Sequence, residues 1–295
     1  MNELTRIGCV DYLNTWPLIE GLEALKGVEI VRRVPSRLVE LLENDDADIS
    51  LVSLIDAQKS REPLAVVPVG MIGCDGPTLT VRIYSKVPLA EVRRIHIDTD
   101  SHTSVMLAKV LMRDRFGVDA ELVDYDARER MPLAAAAGAG LRDEGGGSPE
   151  GAGWPEAMLL IGDKVVTDSP PAVRYPHQLD LGEAWLEQTG LPFVYAVWMC
   201  RRDRVGDPAV RRAAMVLERQ RLHNRTRIDQ IATDRSPEHR WPADLARRYV
   251  GECLRFDFDE RARQAAGVFL KKCESMGLIG ASDLVVADGV LASSG

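Results

Sequence analysis

Residues 4–22 read LTRIGCVDYLNTWPLIEGL and place a strand, a polar loop and a helix start in immediate succession. The strand candidate, Leu4 to Val10, ends in an apolar, uncharged run. Pro17 follows the polar loop Asp11–Thr15 and suits the first turn of a helix, where its missing N–H is not needed. This order is the first half of a βαβ unit.

The same alternation continues outward from this stretch. Val28 to Val34 is a second strand candidate, Ser36 is placed to cap a helix, and residues 49–55, ISLVSLI, are apolar enough for a strand inside a sheet. Strands alternating with helices predict an α/β chain with a mainly parallel sheet.

A second series of strands and helices begins at Val92. Before it we expect strands at 64–73 and 78–85, and within it strands at 92–97, 120–123 and 157–161 and a helix at 105–115. The glycine-rich segment 134–153 predicts an inserted surface loop, because no strand-to-helix context or GK[ST] follows it. After a strand at 192–200, residues 208–276 are helical by periodicity. The chain therefore reads as two α/β units, the second inserted between the first and a helical return.

Composition sets the class of protein. The chain has 295 residues, of which 45% are hydrophobic and 28% charged, as in soluble globular proteins with one large or two modest domains. No apolar run reaches membrane-spanning length and the N-terminus does not read as secretory, so we expect a cytoplasmic protein without a membrane partner. The five cysteines are scattered and include no C-x-x-C, which argues against a disulfide framework or a zinc cluster.

Charge is uneven along the chain. The formal net charge is -8, yet residues 201–295 carry 18 Lys and Arg against 14 Asp and Glu. The arginines between 211 and 227 are one reason to consider nucleic-acid binding. Acidic residues interrupt them and no aromatic residues interleave to stack bases, so a solvated helix face is favoured and no nucleic-acid partner is expected.

Standard catalytic motifs are absent from the sequence. The five histidines show no H-x-x-x-H pairing, and neither a G-x-S-x-G elbow nor a dinucleotide fingerprint occurs. The remaining candidates are loops at the carboxyl ends of predicted strands, where open α/β sheets bind ligands. Asn14 offers a donor and an acceptor at a predicted helix start, although it and Thr15 could also simply cap that helix.

Three more loops present candidate ligand-binding groups. Thr78 and Thr80 share one face of a predicted strand, where a threonine needs no functional reason. Asp163 follows the strand at 157–161 and fits a helix cap, a hinge contact or a catalytic carboxylate equally well. A further group of hydroxyls precedes an apolar helix and exceeds what one cap needs, which favours a carboxylate or phosphate site: Ser101, Thr103, Ser104.

Taken together, these segments resemble the menaquinone-biosynthesis proteins typified by chorismate dehydratase of the futalosine route. The matching stretches are VDYLNTWPL, DADISLVSL, GPTLTV, DTDSHTSVMLAKVLM, MLLIGDKV and LDLGEAWLEQTGLPFVYAVW. They span residues 7 to about 200, whereas residues 201–295 match only in general character.

The resemblance implies a type II periplasmic-binding-protein fold, with two α/β lobes joined by two crossing strands and the ligand in the cleft. Crossings near residues 85–90 and 193–198 place residues 1–87 and 196–295 in lobe I and residues 88–195 in lobe II. The implied reaction removes water from chorismate, a small dicarboxylate, to give 3-[(1-carboxyvinyl)oxy]benzoate. It demands no redox cofactor and no metal.

The resemblance also implies roles for residues. Asn14 and Thr80 would be catalytic, against the reacting part of the substrate. Six residues would bind substrate: Tyr12, Thr78, Ser101, Thr103, Ser104 and Asp163. Relatives commonly carry Ser where this chain has Thr80, which keeps the hydroxyl. They also carry Ser where it has Asp11, whose carboxylate would repel an anionic ligand unless it points away, so Asp11 is left out.

The identity of the base stays open between Asp163, a water molecule and a carboxylate of the substrate itself. Two other functions also remain in consideration. One is the sister enzyme 1,4-dihydroxy-6-naphthoate synthase, whose N-terminal loop usually reads like SPCPNDTF rather than DYLNTWPL. The other is a non-catalytic carboxylate-binding module, such as a solute receptor or a ligand-sensing domain.

Overall fold

Two β-sheets organise the chain. The computed structural model describes residues 4–98, 101–125 and 154–291. The strands are β1 (Thr5–Cys9), β2 (Val28–Arg32), β3 (Ile49–Ser53), β4 (Leu64–Cys74), β5 (Val81–Ser85), β6 (Arg94–Ile97), β7 (Glu121–Asp124), β8 (Ala157–Ile161), β9 (His177–Asp180), β10 (Phe193–Arg201) and β11 (Leu254–Arg255). The helices are α1 (Trp16–Ile19), α2 (Leu38–Glu43), α3 (His102–Phe116), α4 (Lys164–Thr167), α5 (Leu181–Thr189), α6 (Pro208–Arg225), α7 (Ile228–Arg235), α8 (Ala243–Arg248) and α9 (Glu260–Ser275). Tyr249–Cys253 forms one π-helical turn after α8.

The first sheet has the strand order β11-β4-β10-β3-β1-β2. β1 pairs in parallel with β2 and β3, and β10 lies antiparallel between β3 and β4. All five residues of β3 are buried. Its Leu51 packs into one hydrophobic cluster and its neighbour Val52 into another, so both faces of the strand are covered. The prediction of an interior strand here is confirmed.

The second sheet has the order β7-β6-β8-β5-β9. β6 pairs in parallel with β7 and β8, while β5 lies antiparallel between β8 and β9. All five residues of β8 are buried, as expected for the central strand. Because β6 and β8 are parallel, the loops that follow them lie at the same end of this sheet.

The helical return covers the first sheet. α6 begins with Pro208 in its first turn and buries one side, at helical spacing, against β4 and α1. The residues on that side include Val210, Ala213, Ala214 and Leu217. Among the residues that the structure describes, no helix is long and apolar enough to cross a membrane. The expected glycine-rich loop, 134–153, lies outside the described residues.

The chain passes between the sheets twice. It leaves the first sheet after Cys74 and enters the second at Val81, then leaves the second at Asp180 and re-enters the first at Phe193. β5 thus belongs to the second sheet, although the expected boundary at 87 places it in lobe I. We propose instead that lobe I is the first sheet with its helices and lobe II the second, divided at these two connections.

Candidate active site

A cavity with about 630 Å³ of empty space, open solvent at its mouth included, lies between the two lobes. We call it the interlobe cavity. Its walls combine aliphatic side chains with hydroxyl, phenol and amide groups, and none of the described residues lining it has an acidic or basic side chain. The polar residues that line it are Tyr12, Asn14, Ser53, Thr78, Thr80, Ser101, Ser104, Tyr195 and Tyr249. Six of the eight predicted site residues are therefore brought together, and Thr103 and Asp163 are not.

Asn14 reaches the interlobe cavity from a one-turn 3-10 helix, Leu13–Thr15, that precedes α1. Neither Asn14 nor Thr15 caps a helix, because no side-chain cap bond forms at the start of α1. Thr15 is buried and its hydroxyl donates to Asn14 Oδ1 at 3.2 Å. The capping interpretation of this loop is thus wrong. The bond leaves the Asn14 amide nitrogen as the donor for other partners.

Asp11, at the start of the same loop, is exposed and lies outside the lining of the interlobe cavity. Its carboxylate is 3.7 Å from Arg32 Nε. The negative charge therefore points away from the candidate site, and leaving Asp11 out of the site agrees with its position.

Thr78 and Thr80 lie in a turn rather than in the predicted strand. Leu79 has a φ of 61°, in the left-handed region that a strand excludes, and β5 begins only at Val81. The buried Asp180 carboxylate holds this turn, accepting from the backbone N–H groups of Thr78 and Leu79 at 2.9 Å each. Both threonines line the interlobe cavity because of this turn.

Asp180 also caps α5, accepting from the N–H groups of Gly182 and Glu183. A Cβ at position 182 would lie 2.5 Å from Cys74 Sγ and 2.6 Å from the Gly76 carbonyl oxygen. Only glycine allows the two crossing connections to approach this closely. One carboxylate thus joins both connections beneath the site, a role that sequence reasoning did not assign to it.

Ser101 and Ser104 line the interlobe cavity at the N-terminus of α3. Ser101 is the N-cap, its Oγ accepting from the Ser104 N–H, and the two hydroxyl oxygens lie 3.1 Å apart. A helix of this length adds a partial positive charge at this end, while the Thr103 and Ser104 N–H groups already donate to the hydroxyl oxygens of Ser53 and Ser101. The pair thus offers hydrogen-bond donors suited to a carboxylate, although Thr99 and Asp100 before it lie outside the described residues.

Thr103 faces the other way and is fully buried. Its Oγ1 lies 2.6 Å from Ser53 Oγ and accepts from the Ile55 N–H at 3.0 Å. Next to it, His102 Nδ1 lies 2.6 Å from Asp56 Oδ1, and this hydrogen bond raises the pKa of His102. Both residues therefore join α3 to lobe I rather than presenting groups to a ligand.

Asp163 lies outside the interlobe cavity, so the structure gives it no contact with a ligand there. Its Oδ1 accepts from Trp241 Nε1 at 3.0 Å, and its Oδ2 lies 3.1 Å from His239 Nδ1. His239 Nε2 in turn accepts from Trp16 Nε1 at 3.0 Å. Because Trp16 can only donate, the His239 proton resides on Nδ1 and points to Asp163. Of the roles left open for Asp163, the geometry matches the hinge contact.

Tyr249 is one of three residues in the site that the sequence did not reveal. It lines the interlobe cavity from the π-helical turn, is 1% exposed, and its hydroxyl lies 2.8 Å from Thr80 Oγ1. It belongs to the helical return, where no motif marked it. Ser53 and Tyr195 were also missed, because each lies within a predicted strand where no motif marked it.

Two α/β lobes with a cavity lined from both of them define the class of two-lobed α/β proteins. Solved structures agree. The periplasmic aliphatic sulphonate binding protein SsuA from Escherichia coli aligns over 99% of both chains with a TM-score of 0.63 at 12% identity. A conserved Candida albicans gene product described as having the generic periplasmic binding protein fold aligns over 95% of this chain and 92% of its own, at TM-score 0.63 and 11% identity. These likenesses confirm the predicted fold.

The sequence comparisons identify the family. The sequence model of the menaquinone biosynthesis family matches residues 5–142 and 148–275, so the chain belongs to that family. A curated relative, chorismate dehydratase of Thermus thermophilus, is 28% identical over 241 residues, which cover 77% of this chain and 79% of the relative. The match to the family model extends to residue 275, beyond the segment in which the sequence motifs were recognised.

Proposed function

We propose that this protein is a chorismate dehydratase, a lyase that removes water from chorismate to form 3-[(1-carboxyvinyl)oxy]benzoate. The observation that carries the proposal is the interlobe cavity, whose lining includes Asn14, Thr80 and the hydroxyl pair Ser101 and Ser104 at the N-terminus of α3. Family membership and the Thermus relative support it.

The chemistry requires two bonds to break and two to form. A proton leaves the ring carbon that bears the enolpyruvyl ether, and its electron pair forms a new C=C bond. The neighbouring C–O bond breaks, and the departing hydroxide combines with a proton to give water. Aromatisation of the ring drives the reaction, so the protein has to orient the ring, hold two carboxylates and assist proton and hydroxide transfer.

Four of the polar residues of the cavity have a role in this scheme. The hydroxyls of Ser101 and Ser104, at the positive end of α3, bind a carboxylate, while Thr80 and Asn14 donate hydrogen bonds to the reacting part of the ring. These neutral donors suit a dianion in a protein of formal net charge -8, because recognition has to be local. The lobes close around the ligand and exclude water.

The base is a further part of the proposal. Asp163 is held by Trp241 and His239, and the described lining contains no carboxylate, imidazole or amine. A water molecule or a carboxylate of chorismate itself therefore takes the ring proton. We also propose that the enzyme acts in the cytoplasm, since a dianionic substrate does not cross a lipid bilayer unaided.

The test is turnover of chorismate by the purified protein without added cofactor. We expect an aromatic product at one equivalent per chorismate, resolved by chromatography, and loss of deuterium from substrate labelled at the ring carbon bearing the ether. Chorismate that is bound but recovered unchanged after long incubation would contradict the proposal and favour a non-catalytic binding module.

A substitution adds a second readout. Asn14→Ala should lower kcat by about 100-fold, the usual loss when one preorganised donor is removed, while the lost bond from the buried Thr15 hydroxyl lowers folding stability by about 1–3 kcal/mol. Equal activity of this variant and the wild type would remove Asn14 from the proposed mechanism.

A further inference from the structure

Tyr249 occupies an unusual position between the two lobes. Its ring stacks on Trp241 with centroids 4.8 Å apart and planes inclined by 18°. Its hydroxyl reaches Thr80 Oγ1 across the cavity wall, although Thr80 belongs to the connection that leads into lobe II. The residue starts a π-helical turn, a rare conformation that is frequent at functional sites.

The hydrogen bond between Tyr249 and Thr80 has a favoured direction. Burial raises the pKa of Tyr249, so the phenol is neutral and has one proton to donate. Donation to Thr80 Oγ1 gives this buried proton an acceptor, whereas the reverse direction leaves it without one among the hydrogen bonds of the described residues. We therefore take Tyr249 as the donor and Thr80 as the acceptor.

The direction of the hydrogen bond from Tyr249 determines where the Thr80 proton points. Because Thr80 Oγ1 accepts from Tyr249, its own O–H is free to donate elsewhere. Its protein alternative is the Thr78 carbonyl oxygen, at the long distance of 3.4 Å. A ligand oxygen in the interlobe cavity offers a better acceptor.

We propose that Tyr249 is a positioning residue that holds the Thr80 hydroxyl as a donor toward the departing hydroxyl of the substrate. The inference rests on the proposed dehydratase function. Tyr249 keeps its proton throughout, while the departing oxygen takes the electron pair of its C–O bond, accepts the Thr80 hydrogen bond and leaves as water with the proton removed from the ring.

The experiment is a double-mutant cycle with Tyr249→Phe and Thr80→Val. Tyr249→Phe removes only the hydroxyl and keeps the ring on Trp241, so the variant should fold. We expect kcat to fall about 10- to 100-fold with KM within a factor of about three, because a misdirected donor affects the transition state more than binding. In the Thr80→Val background, Tyr249→Phe should have no further effect on kcat, since Tyr249 acts through Thr80.

Two controls separate positioning from structure. Tyr175→Phe also removes a buried phenol hydroxyl, one that donates to the Pro155 carbonyl oxygen away from the cavity, and should keep wild-type kcat. Thr80→Ser restores the hydroxyl and should restore the dependence of kcat on Tyr249. The double variant should also be at least as stable as Tyr249→Phe, because both hydrogen-bond partners are then removed together.

The outcomes are distinguishable. Wild-type protein that forms no product overturns the proposed function and this inference together. An active wild type with an unchanged kcat in Tyr249→Phe overturns the inference alone. An equal fold-loss of kcat when Tyr249→Phe is made in the wild type and in the Thr80→Val variant also overturns the inference alone, because it would show a general structural effect.

Discussion

Asp163→Asn should weaken the contact between the lobes without altering the cavity lining. Asp163 follows β8 of lobe II, whereas its partners His239 and Trp241 belong to the helical return. Its two carboxylate oxygens accept from two donors, and Trp16 fixes the tautomer of His239 from the far side. The substitution keeps the size of the side chain but exchanges one acceptor for an NH₂ donor.

Asp163→Asn leaves this group of side chains with one hydrogen-bond acceptor too few. The amide oxygen of the variant can still accept from Trp241, but the NH₂ group then faces the Nδ1–H of His239. If His239 moves its proton to Nε2, that proton faces the Trp16 N–H instead. One half-buried donor therefore loses its acceptor in either tautomer, which costs about 1–3 kcal/mol.

Urea denaturation measures this loss, with Asp119→Asn as the control because Asp119 is exposed in the loop before β7. Both variants remove one negative charge, so they share any effect of net charge. Weaker closure should also raise KM for chorismate, since the closed cleft holds the substrate. Equal unfolding free energy and equal KM in the two variants would refute the interlobe role of Asp163.

Three further predictions concern the first turn of α3. The bond to Asp56 raises the pKa of His102 in the folded protein, so protonated His102 stabilises the fold fully below pH about 6.5, and this contribution is lost as the pH rises through the folded pKa. The unfolding free energy of His102→Gln, measured from pH 6 to 9, should lack this decrease. Ser104→Ala should raise KM about 10-fold or more by removing a hydrogen bond to a carboxylate, and unchanged steady-state kinetics would exclude that contact. Thr103→Val should instead lower the unfolding free energy by about 1–3 kcal/mol by leaving the buried Ile55 N–H without its acceptor, whereas a change confined to KM would contradict its assignment to packing.

Much of the architecture was predictable because it depends on local pattern. The strands at 5–9, 28–32 and 49–53 and the helical return follow from periodicity that any window of the sequence displays. β9 was not predicted, since HQLD at 177–180 is short, has only one apolar residue in four and pairs only at a sheet edge. The start of β5 was misplaced because Asp180, far along the chain, holds Thr78 and Leu79 in a turn.

The candidate site divides in the same way. Asn14, Ser101 and Ser104 were predictable because they lie in polar loops before predicted helices, and Thr80 because it lies near the start of a predicted strand; the structure brings all four to one cavity. Thr103 looked equivalent to its serine neighbours, yet successive residues of a helix point in different directions. Only the packing of α3 against lobe I decides which of them face the cleft.

By itself the sequence determined the alternation of strands and helices, the positions of the polar loops and the resemblance to a family, since each depends on residues that are near in the chain. The tertiary structure alone decided that Tyr249 meets Thr80, 169 positions away, and that Asp163 lies against His239 and Trp241. The physical reason is that a side chain's partners are set by how the two lobes pack. The pairing of a buried hydroxyl or carboxylate is a property of that packing and leaves no local pattern to read.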